Sequence, residues 1–119
     1  MEFTVAPIKP LIDLADLDRV DVRVGTILKV DELAGSDNLM NLTVSFGDHE
    51  RSILAGIKKE RSDPREIEGK QALFVVNLSP KKMRGHMSEG MLFDIGYADG
   101  LTPVLAVPEK QIPDGARVG

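Results

Sequence analysis

The sequence predicts an all-β domain with one short helix, built as a five-stranded Greek-key barrel with N- and C-terminal extensions. Three observations predict it. Val20 to Asp31 alternates apolar and polar residues six times over, the period of a long strand with one buried face. Asp63-Pro64-Arg65-Glu66-Ile67-Glu68-Gly69 carries a capping acid, a proline at the first helical position and a closing glycine, which makes a short helix. Gln71 to Leu78 is nearly all apolar, as a central strand covered on both faces is.

The remaining elements fall between these. Residues 1–15 read as an N-terminal arm and candidate dimer contact, and residues 16–119 as the domain. In the arm Pro7 and Pro10 block regular helix, while Val5, Ile8, Leu11, Ile12 and Leu14 are too apolar for a free tail. Such an arm must cover its own sheet or a partner subunit. Asp16-Leu17-Asp18-Arg19 suits one helical turn capped by Asp16. In the first strand Val20, Val22, Val24, Thr26, Leu28 and Val30 share one face, and Gly25 marks a bend or bulge. After a polar loop, Leu42, Val44 and Phe46 alternate with Thr43 and Ser45, Gly47-Asp48 turns the chain, and Ser52 to Ala55 returns. Beyond the buried strand come a basic loop, a strand through Met91, Phe93 and Ile95, and a last extended piece at Val104, Ala106 and Val107. Three strands, a helix and two more strands is the order of an OB-type barrel. An SH3-like barrel does not require a helix at that point.

A chain of 119 residues buries roughly two-thirds of its unfolded surface and makes one core. It has no cysteine, which excludes a disulfide framework, a thiolate metal site and a cysteine nucleophile. No apolar run approaches the ~20 residues of a membrane helix, and Met-Glu-Phe-Thr does not read as a secretory leader, so a cytoplasmic protein with no membrane partner is expected. The net charge of −4 excludes a generally basic nucleic-acid binder, but its distribution is uneven. Residues 1–48 carry −5, residues 49–91 carry +3 and residues 92–119 carry −2. The tightest cationic cluster is Lys81, Lys82 and Arg84, and a looser one is Lys58, Lys59 and Arg61. Bases that converge in the fold create a local field for polyanions.

Catalysis is not expected. His49 and His86 are the only histidines. His86-Met87-Ser88-Glu89 offers a base, a hydroxyl and a carboxylate, but catalytic groups normally come from separate segments, and no strained nucleophile elbow is present. No phosphate loop, dinucleotide fingerprint or two-histidine metal spacing occurs, so no cofactor and no metal are expected. Phe46, Phe74 and Phe93 occupy apolar strand positions and read as core, which leaves no aromatic platform for bases. Any RNA recognition then leans on backbone charge and shape.

Three stretches, Val20-Asp21-Val22-Arg23-Val24-Gly25-Thr26-Ile27, Asn77-Leu78-Ser79-Pro80-Lys81-Lys82-Met83-Arg84-Gly85 and Ser88-Glu89-Gly90-Met91-Leu92, together resemble the tRNA-binding domain family. That family includes C-terminal domains of methionyl-tRNA synthetases, free-standing tRNA-binding proteins, the endothelial monocyte-activating polypeptide domain and CsaA-type export chaperones. The likeness runs from about Leu17 to Gly119, and the closing Val107 to Gly115 fits the same pattern. One stretch departs: Leu33 to Leu39 lacks the family's histidine and proline, and Asn38 stands where its lysine is usual. The resemblance implies an OB fold, commonly homodimeric, whose partner is tRNA, with an aminoacyl-tRNA synthetase or unfolded peptide as further candidates. It points to Asn77, Ser88 and Met91 as RNA-contacting positions beside the basic loop. Element order adds Lys81, Lys82 and Arg84 independently, because the loop between strands four and five, Ser79–Met87, flanks an OB barrel's binding face together with Asp31–Asn38. Plain readings stand beside these: Ser88 closing a loop, Met91 in the core by its phase with Phe93, Asn77 bonding backbone, and Arg23 as an ion-pair partner. The expected function is a non-catalytic tRNA-binding protein; the alternative is a CsaA-type chaperone binding unfolded peptides.

Overall fold

The structure, a computed structural model, describes residues 3–119; the first two residues of the expected arm lie outside the described residues. Five antiparallel strands form one curled sheet: β1 (Val22–Glu32), β2 (Met40–Ser45), β3 (Glu50–Ala55), β4 (Gln71–Val75) and, after a two-stranded excursion, β7 (Met91–Leu92). Their order is β3-β2-β1-β4-β7, the nearly closed Greek-key barrel expected. The excursion pairs β5 (Lys81–Met83) with β6 (His86–Ser88), so the expected basic loop is a hairpin. A second small pair joins β8 (Asp94–Ile95) to β9 (Val104–Leu105).

The helix between β3 and β4 is present as a single 3-10 turn, Pro64–Ile67, with the Asp63 carboxylate accepting from the Arg65 N–H at 3.1 Å. It stoppers one end of the barrel. Ile67 is fully buried, the Gly69 N–H donates to the Ile27 carbonyl at 2.7 Å, and the Val30 N–H donates to Glu68 Oε2 at 2.8 Å. The turn expected at Asp16 starts earlier, as α1 (Leu14–Leu17). Asp16 sits inside it, accepting from the N–H of Asp13, which is the true cap.

The phase of β1 differs from the expectation. Its inward residues are Gly25, Ile27 and Val30, whereas Leu28 is exposed. The register with β2 slips between Ile27 and Lys29, so Leu28 is the extra residue of a bulge. Gly25 serves close approach instead of a bend: a Cβ there would lie 2.6 Å from Val44 Cγ1 and 2.9 Å from the Phe46 ring. Val24 is buried on the other face, under the C-terminal extension. That segment takes the edge of β1 that β2 vacates, through Gly115 N–H to Val24 O (2.8 Å), Val24 N–H to Ala116 O (3.0 Å) and Val118 N–H to Val22 O (2.9 Å). Buried Gln71 anchors it, donating to Ile112 O at 2.6 Å and Asp114 Oδ1 at 3.0 Å, while its own oxygen accepts from the Ile112 N–H.

The fifth barrel strand is broken in two, because only Leu92 points inward; Met91 and Ile95 are exposed and Phe93 is half-buried. Phe46 and Phe74 are in the core as expected, meeting edge to face at 5.5 Å.

Gly25→Ala should be destabilising, although its backbone conformation is open to alanine. Overpacking costs about 1–3 kcal/mol and exceeds the usual 0.4–1 kcal/mol entropic gain of such a change. Urea denaturation should show the loss, and adding Val44→Ala, which removes the clashing methyl, should recover part of it.

Candidate functional site

The barrel closes where the edge of β3 meets the residues that link β6 to β7. Leu54 N–H donates to Ser88 Oγ at 3.0 Å, Ser88 Oγ donates to Gly90 O at 3.0 Å, and Glu89 N–H donates to Ser52 O at 2.9 Å. The Glu89 side chain returns a bond by accepting from Ser52 N–H at 3.0 Å. Gly90 fits only as glycine, since a Cβ would stand 2.9 Å from Val75 O and 3.1 Å from Ile53 Cδ1. Ser88 is therefore buried with its hydroxyl fully engaged, and it positions the hairpin without reaching the surface.

The β5–β6 hairpin rises from this seam. Lys81 pairs with Ser88, Lys82 with Met87 and Met83 with His86. Because neighbours along a strand face opposite ways, Lys81 shares the side of buried Ser88 and Lys82 shares the outer side of exposed Met87. The turn is Arg84-Gly85, both with positive φ (52° and 81°), the arrangement of a type I′ turn. Arginine at such a position is strained by about 1–2 kcal/mol relative to ordinary backbone. Lys81, Lys82 and Arg84 are all exposed, and none has a salt-bridge partner among the described residues.

The second cluster is spent differently. Lys58 Nζ meets Glu32 at 3.3 Å, and Arg61 lies against Glu66 at 2.8 Å with only 17% of its side chain exposed. The Nε of Arg61 is buried without a partner, and burial pushes the neighbouring Glu60 carboxyl up, with Asp94 adding to the effect. Lys59 alone of the three is exposed. The Lys58 N–H also bonds Asn38 O at 3.2 Å, which brings a cation to the loop that lacks the family lysine.

Asn77 is committed to backbone: its oxygen accepts from Asp21 N–H at 2.8 Å and its nitrogen donates to Arg19 O at 2.6 Å, stapling the segment before β1 onto the end of β4. Met91 is 44% exposed on β7, on the outer face, contrary to the core position that simple alternation implied. His86, Ser88 and Glu89 do not assemble into a catalytic set, because Ser88 Oγ is occupied and Glu89 binds the β3 backbone. Arg23 does pair with Asp21, in bidentate fashion at 2.8 and 3.0 Å. That hydrogen bond is the main reason the Asp21 carboxyl titrates below its ordinary range, helped by the fields of Arg23, Arg117 and Arg51.

Sequence reasoning passed over Arg51. It lies at the open end of the barrel, opposite the 3-10 turn, and donates from Nη1 to Val76 O (2.6 Å) and Glu89 O (3.1 Å). It thereby ties together both roots of the hairpin. The available signal was its phase, because Arg51 alternates with Ile53 and Ala55 on the inward side of β3.

Residues 22–117 match the family model described as "Putative tRNA binding domain". A methionine–tRNA ligase of Lactiplantibacillus plantarum is 38% identical over 105 residues, which is 87% of this chain and 15% of that protein. The chain thus spans about one-sixth of the length of the curated relatives it matches. Among solved structures, a MetRS-related protein from Pyrococcus horikoshii superimposes with a TM-score of 0.85 at 35% identity, covering 93% of this chain and 100% of that one. The chaperone CsaA from Bacillus anthracis gives 0.80 at 26% identity, covering 92% and 100%.

Ser88→Ala should destabilise the barrel by about 1–3 kcal/mol, since it strips a partner from the buried Leu54 N–H and from Gly90 O. A lowered urea midpoint would mark the seam role; an unchanged midpoint would refute it.

Proposed function

The chain belongs to the tRNA-binding domain family, and from that premise we propose that it acts as a non-catalytic module in the cytoplasm, gripping folded tRNA by backbone charge and shape. The observation that carries this reading is the set of uncompensated cations on the β5–β6 hairpin. Elsewhere in the chain, Arg23, Lys58, Arg61 and Arg65 are each paired with an acid. Here three cations stand exposed on one ribbon, and Arg84 holds a strained turn position that glycine or asparagine fills more cheaply. Met91, exposed on β7, joins them as a candidate contact, and of the looser cluster, the secondary candidates Lys58, Lys59 and Arg61, Lys59 alone is exposed. Asn77 and Ser88 contribute by fixing the hairpin's base. The likeness to methionine–tRNA ligases supports tRNA delivered to, or held for, a synthetase as the setting.

The arm supports a homodimer. Val5, Ile8 and Leu11 are 77%, 94% and 96% exposed, and α1 buries none of its residues. An arm this apolar needs a cover, and a second copy supplies one. Two hairpins per particle would let one RNA bridge both subunits and gain effective concentration. The same apolar surface, with the likeness to CsaA, favours the second reading, a chaperone that takes unfolded peptide.

In a tRNA gel shift, the triple change Lys81→Ala, Lys82→Ala, Arg84→Ala should abolish most binding. It should also reduce the log–log salt slope by roughly 2–3, at 0.7–0.9 per phosphate contact. Unaltered affinity would refute the hairpin's role. Peptide binding that is indifferent to salt, with no tRNA shift in the unaltered protein, would favour the chaperone. Sedimentation at micromolar concentration should give about twice 13.0 kDa, and a clean monomer would rule out the dimer.

A further inference from the structure

The open end of the barrel is a cleft of about 300 Å³, separate from the hairpin's outer face but sharing its roots at Asn77 and Arg51. Its wall carries an aromatic platform of an unusual kind. The His49 ring stacks on buried Phe46, with centroids 5.5 Å apart and planes 25° from parallel. Both ring nitrogens are engaged: Nδ1 lies 2.6 Å from Asp48 Oδ1, and Nε2 accepts from Arg51 Nε at 2.9 Å. The imidazole is therefore the Nδ1–H tautomer, fixed in orientation and with no nitrogen free for proton transfer. Its side chain is still 45% exposed. With one face on Phe46 and both nitrogens bonded, what remains open is chiefly the opposite π-face.

Two arginines, Arg23 and Arg51, line the same cleft. Arg51 sits 5.8 Å from the Phe46 ring centre, and its Nη2 has no protein partner among the described residues. Arg23 spends Nε and Nη2 on Asp21, and its Nη1 has no hydrogen-bond partner among the described residues. Opposite them, Asp48 keeps its second oxygen free, its side chain being 89% exposed, as an acceptor for an amino group. A flat neutral face, free guanidinium donors and one carboxylate acceptor in a cleft of this size match the chemistry of a nucleotide.

We propose that the barrel mouth binds one unpaired nucleotide, with its base laid on the open face of His49 and its phosphate held by the free edges of Arg51 and Arg23. This rests on the reading of the protein as an RNA binder and adds to it a site that reads a base where the hairpin reads only backbone. Arg51 links the two, because the same guanidinium that orients His49 also holds Val76 and Glu89 at the hairpin's roots.

The chain has two histidines, so its imidazole protons give two sets of NMR signals, and His86 on the exposed hairpin is an internal control. Adenosine monophosphate titrated at constant pH should move the His49 ring protons upfield by ring current and leave those of His86 in place. Ribose 5-phosphate should produce no such upfield shift. The response should survive in the hairpin triple-alanine variant, which separates this site from the proposed tRNA grip. His49→Ala should weaken binding of a single-stranded hexanucleotide about tenfold, and His49→Phe, which keeps a face on Phe46, should recover most of it. A His49 signal unmoved by the nucleotide, or moved equally by the sugar phosphate, would overturn the proposal while leaving the hairpin reading intact. Equal losses in the alanine and phenylalanine variants would do the same. Loss of tRNA shift with an intact mononucleotide response would instead strike the tRNA reading and uphold the mouth.

Discussion

The structure depends on the seam at which β3 meets Ser88-Glu89-Gly90. A curled five-stranded sheet has two edges, here β3 and β7, and the curl brings them together. The chain closes them with one hydroxyl, one carboxylate and two backbone groups, all from three consecutive residues. Everything between Val76 and Ser88 must then leave the barrel and return to the same place. A ribbon results, and its cations stand on a base as rigid as the barrel wall. Ser88 and Gly90 thus shape the cationic surface through geometry: the first supplies the closing hydroxyl, and the second lets β7 approach β4.

Why a chain of net charge −4 can present a cationic surface follows from where its acids are used. Asp21 is tied to Arg23, Glu66 to Arg61 and Glu32 to Lys58, while Glu89 accepts from backbone. These acids neutralise bases locally or complete the fold, and beyond about 8–10 Å their fields are screened at physiological salt. The hairpin contains no acid between Lys70 and Glu89, so its own field is uncompensated. Net charge describes solubility; the arrangement along one ribbon decides what a polyanion encounters.

Much of this was legible in the sequence. Element order, the short helix before β4, the hairpin turn at Gly47-Asp48 and the identity of the cationic cluster all follow from local patterns that the barrel leaves unchanged. The inward face of β1 was not legible. Val20, Val22, Val24, Thr26, Leu28 and Val30 on alternate positions read as one buried face, but Leu28 is squeezed out as a bulge, and Val24 is covered from outside by the residues around Gly115. Both effects come from segments distant in the chain. The same limit applies to Met91, which alternation assigned inward and which the break after Leu92 turns outward. Arg51 stayed hidden because its importance lies in two carbonyls, 25 and 38 positions away, that it alone brings together.

The two ends of the barrel differ in a way that bears on recognition. One end is stoppered by the 3-10 turn, with Ile67 fully buried, Gly69 N–H bonded to Ile27 O and the Glu68 carboxylate accepting from Val30 N–H. At the other, no helix intervenes, and the inward positions are Arg23 and Arg51 where an ordinary core would place aliphatic residues. Guanidinium groups at inward positions are costly unless their donors are met, and here backbone carbonyls, Asp21 and His49 meet five of them. The open end is thus held open by hydrogen bonding. On the two proposals, a polar mouth joined to a cationic ribbon would give one surface two kinds of contact: charge that tolerates any sequence, and a flat face that would accept a base only where the RNA leaves one unpaired.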